Sequence, residues 1–91
     1  MFTKGQKKDA IRFTVRPPNG AMKVQVAGDF SKWQPVPMRK QKNGDYACIV
    51  PLKPGTYEYK FMLDGQWCVD PDNGNYALNP YGTLNSVAMV T

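Results

Sequence analysis

A tryptophan and a lysine that should share one face of a β-hairpin are the residues of this sequence best suited to contact a ligand. Residues 56–63 place aromatic and apolar side chains at every second position, which predicts a strand with one buried face. Asp64-Gly65 then provides the dipeptide that a two-residue β-turn prefers. If that turn forms, Met62 pairs with Trp67, and Trp67 lies on the outer face diagonally beside Lys60. An exposed ring can stack on an apolar surface while an ammonium group donates hydrogen bonds to its polar edge.

The residue types needed for catalysis are not arranged in any recognisable pattern. The sequence contains no histidine, and nucleophilic triads of serine or cysteine usually require one. Paired carboxylates can hydrolyse glycosides, but most acidic residues fall at predicted turns, where a carboxylate accepts backbone hydrogen bonds. The acidic residues are Asp9, Asp29, Asp45, Glu58, Asp64, Asp70 and Asp72. We therefore expect a protein that is not an enzyme by itself.

The sequence predicts no metal site and no cofactor. Zinc would have to use Cys48 and Cys68 with carboxylates, and the spacing matches no zinc pattern. Asp70 and Asp72 resemble the start of a calcium loop, but the glycine is misplaced and Tyr81 stands where the closing glutamate should be. Turn chemistry is the alternative interpretation of these aspartates.

The elements that must position these residues are short strands separated by turn residues. Alternation predicts strands at 10–16, 22–27, 45–50, 56–63 and 83–90, a hairpin partner after residue 65 and a short edge strand at 38–41. Residues 28–37 and 69–82 are expected to be irregular, and no segment of ten residues has helical periodicity. About seven short antiparallel strands favour a small all-β sandwich. We expect one domain at 10–91, preceded by a flexible lead-in at 1–9.

The two cysteines are expected to be buried free thiols. Cys68 should pair with Phe61 and point inward, and Cys48 lies in another predicted strand. Unpaired cysteine is among the most buried residue types. A single disulfide between Cys48 and Cys68 is the alternative.

The net charge of +5 admits an anionic partner such as nucleic acid. Solvated lysines that keep a small domain soluble are the simpler interpretation. No apolar run approaches the roughly 20 residues of a membrane span, and the N-terminus lacks the apolar stretch of a secretory signal. We therefore expect a cytoplasmic protein that contacts neither a membrane nor nucleic acid.

Four motifs stand in one order and spacing: GDFSKW at 28–33, YEYKFMLDGQW at 57–67, DP at 70–71 and GTLNSV at 82–87. Together they resemble the family 48 carbohydrate-binding modules, over residues 22–90. That family includes the glycogen-binding domain of the β subunit of AMP-activated protein kinase and the N-terminal modules of branching and debranching enzymes. The resemblance implies an immunoglobulin-like β-sandwich that binds α-1,4-glucans.

The same resemblance implies roles for individual residues. It makes Trp33 and Trp67 the two platforms on which sugar rings stack, and Lys60 a donor to sugar hydroxyls. Thr83 and Asn85 would also meet the sugar. Without the resemblance, Trp33 could instead fold onto the core, and the other residues could be covered, solvated or turn residues.

Two positions depart from the kinase-subunit pattern. Tyr81 replaces a leucine that reaches into the curve of the sugar chain, so it could stack, reach in or block. Ser31-Lys32 replaces two asparagines before the first tryptophan, which affects the shape of the rim.

The partners expected are therefore an α-glucan polysaccharide or oligosaccharide and, in addition, a glycogen- or starch-active enzyme or a kinase subunit. Two rival functions remain open. The outer face could dock another protein in a regulatory or scaffolding role, or a small basic barrel could bind single-stranded nucleic acid.

Overall fold

The structure, a computed structural model, describes residues 1–5, 9–17 and 20–91. These residues form ten strands and one short 3₁₀ helix, Asp29–Ser31. The strands are β1 (Phe2–Lys4), β2 (Ala10–Val15), β3 (Val24–Gly28), β4 (Val36–Pro37), β5 (Arg39–Lys40), β6 (Tyr46–Pro51), β7 (Gly55–Leu63), β8 (Gln66–Cys68), β9 (Tyr76–Leu78) and β10 (Leu84–Val90). Within the described ranges, no helix has the length and apolar character that crossing a bilayer requires.

The strands form two antiparallel sheets that enclose one core. The first sheet has the order β1-β2-β6-β5, and the second has the order β4-β3-β7-β10-β9, with β8 also paired to β7. The all-β sandwich predicted from the strand pattern is confirmed. It has more strands than the seven or so expected, because short edge strands complete both sheets.

Strand β7 and its turn have the geometry predicted from the sequence. Met62 pairs with Trp67, and Phe61 pairs with Cys68. Asp64 and Gly65 have φ of 49° and 86°, the positive values that a type I′ turn requires at both central positions. The hairpin therefore leaves Trp67 on the face opposite to Phe61.

Alternation along β7 sends every second side chain into the core. Tyr59 and Phe61 are fully buried, and Tyr57 and Leu63 pack at the margin of the core. The ring centroids of Phe13 and Tyr59 lie 4.9 Å apart, so β2 of the first sheet meets β7 of the second. Burying one such side chain stabilises the fold by about 1.5–3 kcal/mol.

A buried polar cluster lies beside these rings. The carboxylate of Asp70 is fully buried and accepts hydrogen bonds from the Tyr59 hydroxyl at 2.7 Å and the Asp72 N–H at 2.9 Å. It also forms an ion pair with the α-amino group of Met1. The N–H of Asp70 donates to the Ser86 hydroxyl at 2.8 Å. A buried charge is tolerated when it is paired and hydrogen-bonded, as this one is.

Three short edge strands differ from the sequence-based expectation. Residues 1–9 are expected to be a loose lead-in, whereas Phe2–Lys4 form β1 and pair with β2; residues 6–8 of this segment lie outside the described residues. Val36–Pro37 and Tyr76–Leu78 form β4 and β9 inside segments expected to be irregular. Each strand has at most three residues, too few for periodicity to reveal, and each depends on the neighbour with which it pairs.

Both cysteines are free thiols, and each is half-buried rather than fully buried. Cys48 pairs with Phe13 across β6 and β2, so it shares the inward face with that ring. Burial raises the pKa of the Cys48 thiol to about 11.

Tyr59→Phe keeps the ring in the core but removes the hydroxyl that binds Asp70. Because the buried carboxylate loses a donor and the Asn73 amide loses an acceptor at 3.0 Å, we expect the free energy of unfolding to fall by about 1–3 kcal/mol. Tyr57→Phe is a matched control, since the same atom is lost from the same strand but that hydroxyl donates to the exposed Lys53 carbonyl. Urea unfolding followed by tryptophan fluorescence measures both variants. Equal losses in the two would contradict the importance of the Tyr59–Asp70 contact.

The fold should lose stability at alkaline pH. Burial raises the pKa of the Cys48 thiol to about 11, and burial, with the neighbouring Asp70 carboxylate, raises the pKa of Tyr59 well above its usual value. In the unfolded chain these groups ionise near pH 8.5 and about pH 10. Their protonated forms therefore stabilise the fold fully below those values, and this contribution is lost as pH rises towards the folded pKa values.

Urea unfolding at a series of pH values between about 8 and 11 measures this loss. Cys48→Ala should flatten the part of the curve that begins near pH 8.5, whatever its pH-independent cost. A Cys48→Ala curve that runs parallel to that of the wild type would show that the thiol does not contribute to the pH dependence.

Candidate functional site

The outer face of the second sheet carries a groove of about 560 Å³. The residues that line the groove are Asp29, Trp33, Glu58, Lys60, Trp67, Leu78, Asn79, Pro80, Tyr81, Thr83 and Asn85. They come from β7, β8, β9, the start of β10 and the two connections that flank these strands. All six residues selected from the sequence are among them, so residues up to 52 positions apart, from Trp33 to Asn85, meet at one surface.

The two tryptophans of the groove contact each other. Their ring centroids lie 6.2 Å apart and their planes meet at 68°. Trp67 is 47% exposed, and Trp33 is half-buried without joining the core cluster. The pair therefore presents two aromatic planes at a steep angle, rather than one flat surface or a ring sealed in the interior.

Trp33 lies on a backbone with unusual dihedral angles, and Asp29 fixes its ring. Lys32 and Trp33 have φ of 53° and 59°, a left-handed region that non-glycine residues seldom occupy. The Trp33 N–H donates to the Gly28 carbonyl at 2.9 Å. The indole Nε1 donates to Oδ1 of Asp29 at 3.1 Å, and Oδ2 of the same carboxylate accepts the Glu58 N–H at 2.8 Å. Asp29 therefore ties the Trp33 ring to the backbone of β7.

Gly28 allows this connection to lie against β7. A Cβ at Gly28 would come within 2.9 Å of the Tyr59 Cβ and still closer to the Glu58 carbonyl oxygen. Only glycine fits at such an approach. Within residues 28–33, Gly28 permits the close approach to β7, and Asp29 fixes the orientation of the Trp33 ring. That ring provides part of the aromatic surface of the groove.

The middle of the groove is polar. Lys60 is half-buried, and its Nζ donates to Oγ1 of Thr83 at 3.1 Å. Asn85 is only 6% exposed, and its Nδ2 donates to Oε1 of Glu58 at 3.0 Å. Asn79 donates from Nδ2 to Oγ1 of Thr83 at 2.6 Å and to Oδ1 of Asn85 at 3.2 Å. These hydrogen bonds join β7, β10 and the turn between β9 and β10 into one network.

The rim beside this network is formed by the turn at residues 79–83. Tyr81 is 90% exposed, and Leu78 at the end of β9 is 72% exposed. Both line the groove, so the rim adds an aromatic ring and an aliphatic side chain to the tryptophan pair. A phenol ring that solvent surrounds in this way is available to a ligand.

The charged groups of the groove are one lysine, Lys60, and two carboxylates, Asp29 and Glu58. Both oxygens of Asp29 and one oxygen of Glu58 accept hydrogen bonds from the chain itself. Such carboxylates act as structural acceptors. The arrangement is therefore suited to binding through ring faces and hydrogen bonds.

No group of three or more His, Cys, Asp or Glu side chains that could hold a metal ion occurs among the described residues. In the stretch considered for calcium, Asp70 is fully buried, and its Oδ1 accepts the Asp72 N–H at 2.9 Å. That contact is the turn chemistry offered as the alternative.

Sequence reasoning did not select five residues that line the groove, namely Asp29, Glu58, Leu78, Asn79 and Pro80. Two of them had a usable signal. Glu58 lies two positions before Lys60 in one strand, so the period of two puts both on the same face. Asp29 follows the glycine that opens the 28–33 motif. Asn79-Pro80 marks a turn, in which an asparagine can accept the N–H two residues on. The bonds from Asn79 to the side chains of Thr83 and Asn85, by which it contributes to the groove, have no such signal.

Solved structures of an amylase and a pullulanase contain a similar fold. A maltogenic amylase from S. marinus matches 100% of this chain with a TM-score of 0.75 and 25% identity, over 15% of its own chain. A pullulanase from Paenibacillus barengoltzii, complexed with maltotetraose, matches 93% of this chain with a TM-score of 0.62 and 22% identity, over 14% of its own chain. In both, the similar part is a small fraction of the enzyme.

Related sequences come from a plant and from mammals. The protein PTST homolog 2, chloroplastic, of Arabidopsis thaliana is 46% identical over 55 residues, which are 59% of this chain and 10% of that protein. The 5'-AMP-activated protein kinase subunit beta-1 of Homo sapiens is 32% identical over 71 residues, which are 78% of this chain and 26% of that protein. This chain thus spans well under half the length of both relatives.

The cytoplasmic location expected from the sequence is contradicted by the first of these relatives, whose name places it in the chloroplast. The expectation depended on the lack of an apolar signal at the N-terminus, and that lack does not separate cytoplasmic from chloroplast proteins.

The family comparison covers nearly the whole described sandwich. Residues 11–91 match the family described as the glycogen recognition site of AMP-activated protein kinase. The match includes the connection that holds Trp33, the β7–β8 hairpin and the turn that carries Tyr81. The resemblance seen in the sequence is therefore confirmed, and this chain belongs to the family of glycogen recognition sites of AMP-activated protein kinase.

Proposed function

We propose that this protein binds α-1,4-glucan without catalysis, in the groove lined by Trp33, Lys60, Trp67, Tyr81, Thr83 and Asn85. The observation that carries the proposal is the pair of tryptophan rings set at 68° beside a row of hydrogen-bonding side chains. Membership of a glycogen recognition family supports the ligand class.

The ring geometry fits a curved sugar chain. A glucose ring presents an apolar face of C–H groups, which an aromatic plane contacts through dispersion. Successive residues of an α-1,4-glucan turn relative to each other, so two flat platforms at an angle can contact different residues of one chain. Trp33 and Trp67 have such an angle between their planes.

The polar side chains retain capacity for sugar hydroxyls. Among the described residues, Lys60 donates to Thr83 alone, which leaves two of its three N–H donors for a ligand. Oγ1 of Thr83 accepts hydrogen bonds from both Lys60 and Asn79, so its own O–H is free to donate outward. Asn85, at 6% exposure, has less freedom and contributes mainly at the bottom of the groove.

The charges of the groove favour a neutral ligand. One lysine faces two carboxylates, Asp29 and Glu58, so the +5 excess of the chain is not concentrated here. An anionic polymer would meet the two carboxylates, whereas a neutral glucan has hydroxyls that can both donate and accept. This contrast argues against nucleic acid at this site.

We propose further that the module acts beside a catalytic partner. The matched structures are of an amylase and a pullulanase, and one set of relatives consists of subunits of a kinase. Because the similar segment is only a small part of each, we infer that the module holds glucan for a glycogen- or starch-active enzyme or a kinase.

Removing either tryptophan should weaken glucan binding. Each aromatic contact contributes about 1–3 kcal/mol by analogy with base stacking, so Trp33→Ala and Trp67→Ala should each lower affinity about fivefold or more. Tyr76→Ala is the matched control, since Tyr76 is an exposed aromatic residue of β9 that does not line the groove. Affinity electrophoresis in gels that contain glycogen or soluble starch measures the effect.

The expected pattern is retardation of wild type and Tyr76→Ala, with faster migration of both tryptophan variants. If all four proteins migrate alike in glucan gels and in plain gels, this site does not bind glucan.

Glucan binding should also be nearly insensitive to salt. A neutral ligand releases no counterions, whereas a protein that contacts several phosphates loses orders of magnitude in affinity between about 50 and 200 mM salt. Titration with β-cyclodextrin, a cyclic stand-in for a turn of α-glucan, at these two salt concentrations tests this. Single-stranded DNA titrated in parallel tests the nucleic-acid alternative. Strong, salt-dependent DNA binding without cyclodextrin binding would favour that alternative.

A further inference from the structure

The side chain of Asn79 makes four hydrogen bonds to residues of the groove. Its Oδ1 accepts the N–H groups of Tyr81 at 3.0 Å and Thr83 at 3.1 Å. Its Nδ2 donates to Oγ1 of Thr83 at 2.6 Å and to Oδ1 of Asn85 at 3.2 Å. A carboxamide has two N–H donors and two acceptor positions on its oxygen, so every polar position of Asn79 is used.

These bonds define the turn at residues 79–83. The backbone N–H of Asn79 also donates to the Thr83 carbonyl at 2.8 Å, and the Gly82 N–H donates to the Asn79 carbonyl at 3.1 Å. Gly82 has a φ of 81°, which glycine adopts without strain. Tyr81, at the tip of this turn, is 90% exposed, so its backbone is held by Asn79 while its ring is surrounded by solvent.

The same side chain fixes the orientation of Asn85. The Nδ2 of Asn85 donates to the Glu58 carboxylate at 3.0 Å, and its Oδ1 accepts from Asn79. A rotated amide would direct oxygen at the carboxylate and NH₂ at a donor, so the two neighbours permit one orientation only. Asn85 is 6% exposed, and a buried amide in the wrong orientation would lose both bonds.

We propose that Asn79 is the positioning residue of the groove. Its hydrogen bonds hold the Tyr81 rim, the Thr83 hydroxyl and the Asn85 amide in the positions where a glucan contacts them. This inference rests on the glucan-binding function proposed above. Asn79 acts through its three neighbours, and its side chain has no polar position left for a ligand.

Two substitutions separate the two halves of the carboxamide. Asn79→Asp keeps an oxygen that accepts the Tyr81 and Thr83 N–H groups. It removes both N–H donors, so Oδ1 of Asn85 then lies next to a second acceptor oxygen. Asn79→Ala removes all four bonds. We expect β-cyclodextrin affinity to fall about tenfold or more in Asn79→Ala, because all four bonds that position the groove residues are lost. The factor should be smaller in Asn79→Asp, because the acceptor for the two N–H groups is kept.

A measurement without ligand accompanies the titration. Amide hydrogen exchange at Tyr81 and Thr83 should accelerate in Asn79→Ala and change less in Asn79→Asp, because only the alanine variant removes the acceptor. Asn75→Asp is the matched control for charge. It makes the same substitution in the neighbouring stretch, and the Asn75 side chain neither lines the groove nor hydrogen-bonds to another described residue.

The outcomes separate this inference from the proposed function. Weakened binding in the Asn79 variants, with Asn75→Asp and the melting temperature near wild type, supports the positioning role. Wild-type affinity in Asn79→Ala, or unchanged exchange at Tyr81 and Thr83, overturns it while leaving glucan binding intact. If the wild type itself does not bind β-cyclodextrin or soluble starch, the proposed function fails, and the positioning role fails with it.

Discussion

Each residue of β7 must point either into the sandwich or onto the groove, because side chains alternate between the two faces of a strand. Tyr59 and Phe61 point inward and are fully buried, while Glu58 and Lys60 point outward and line the groove. The strand pairing of β7 that builds the core therefore also places Lys60 and the Glu58 carboxylate in the groove. A slip of one residue would exchange the faces and destroy both.

Strand β10 repeats this division beside β7. Ser86 pairs with Tyr59 and points inward, where its hydroxyl accepts the Asp70 N–H. Asn85, one residue earlier, points outward between Glu58 and Asn79. The buried polar cluster thus sets the register of β10 against β7 from one side of the sheet, and the groove network does so from the other.

The two connections that complete the groove use a similar device. A short side chain with an acceptor oxygen captures nearby N–H groups and holds an aromatic residue at the rim. Asp29 accepts hydrogen bonds from the indole N–H of Trp33 and the backbone N–H of Glu58. Asn79 accepts hydrogen bonds from the backbone N–H groups of Tyr81 and Thr83. Aspartate and asparagine suit this role, because their side chains reach neighbouring backbone groups without a long, mobile stem.

The sequence by itself determined the β7–β8 hairpin, the sandwich class and the face on which Lys60 and Trp67 lie, because alternation and the Asp64-Gly65 turn act over a few residues. The motif resemblance added Trp33, Tyr81, Thr83 and Asn85 to the candidate site. Only the tertiary structure decided which groups hold these residues.

The contact between Trp33 and Trp67 joins segments that are distant in the chain, and the burial of Asn85 depends on such segments. The four hydrogen bonds of Asn79 depend on the conformation of a single backbone turn. The short strands β1, β4 and β9 likewise exist because a neighbouring strand supplies their hydrogen bonds. Such interactions leave no periodic trace in the sequence, since their geometry is fixed only when the partners are brought together.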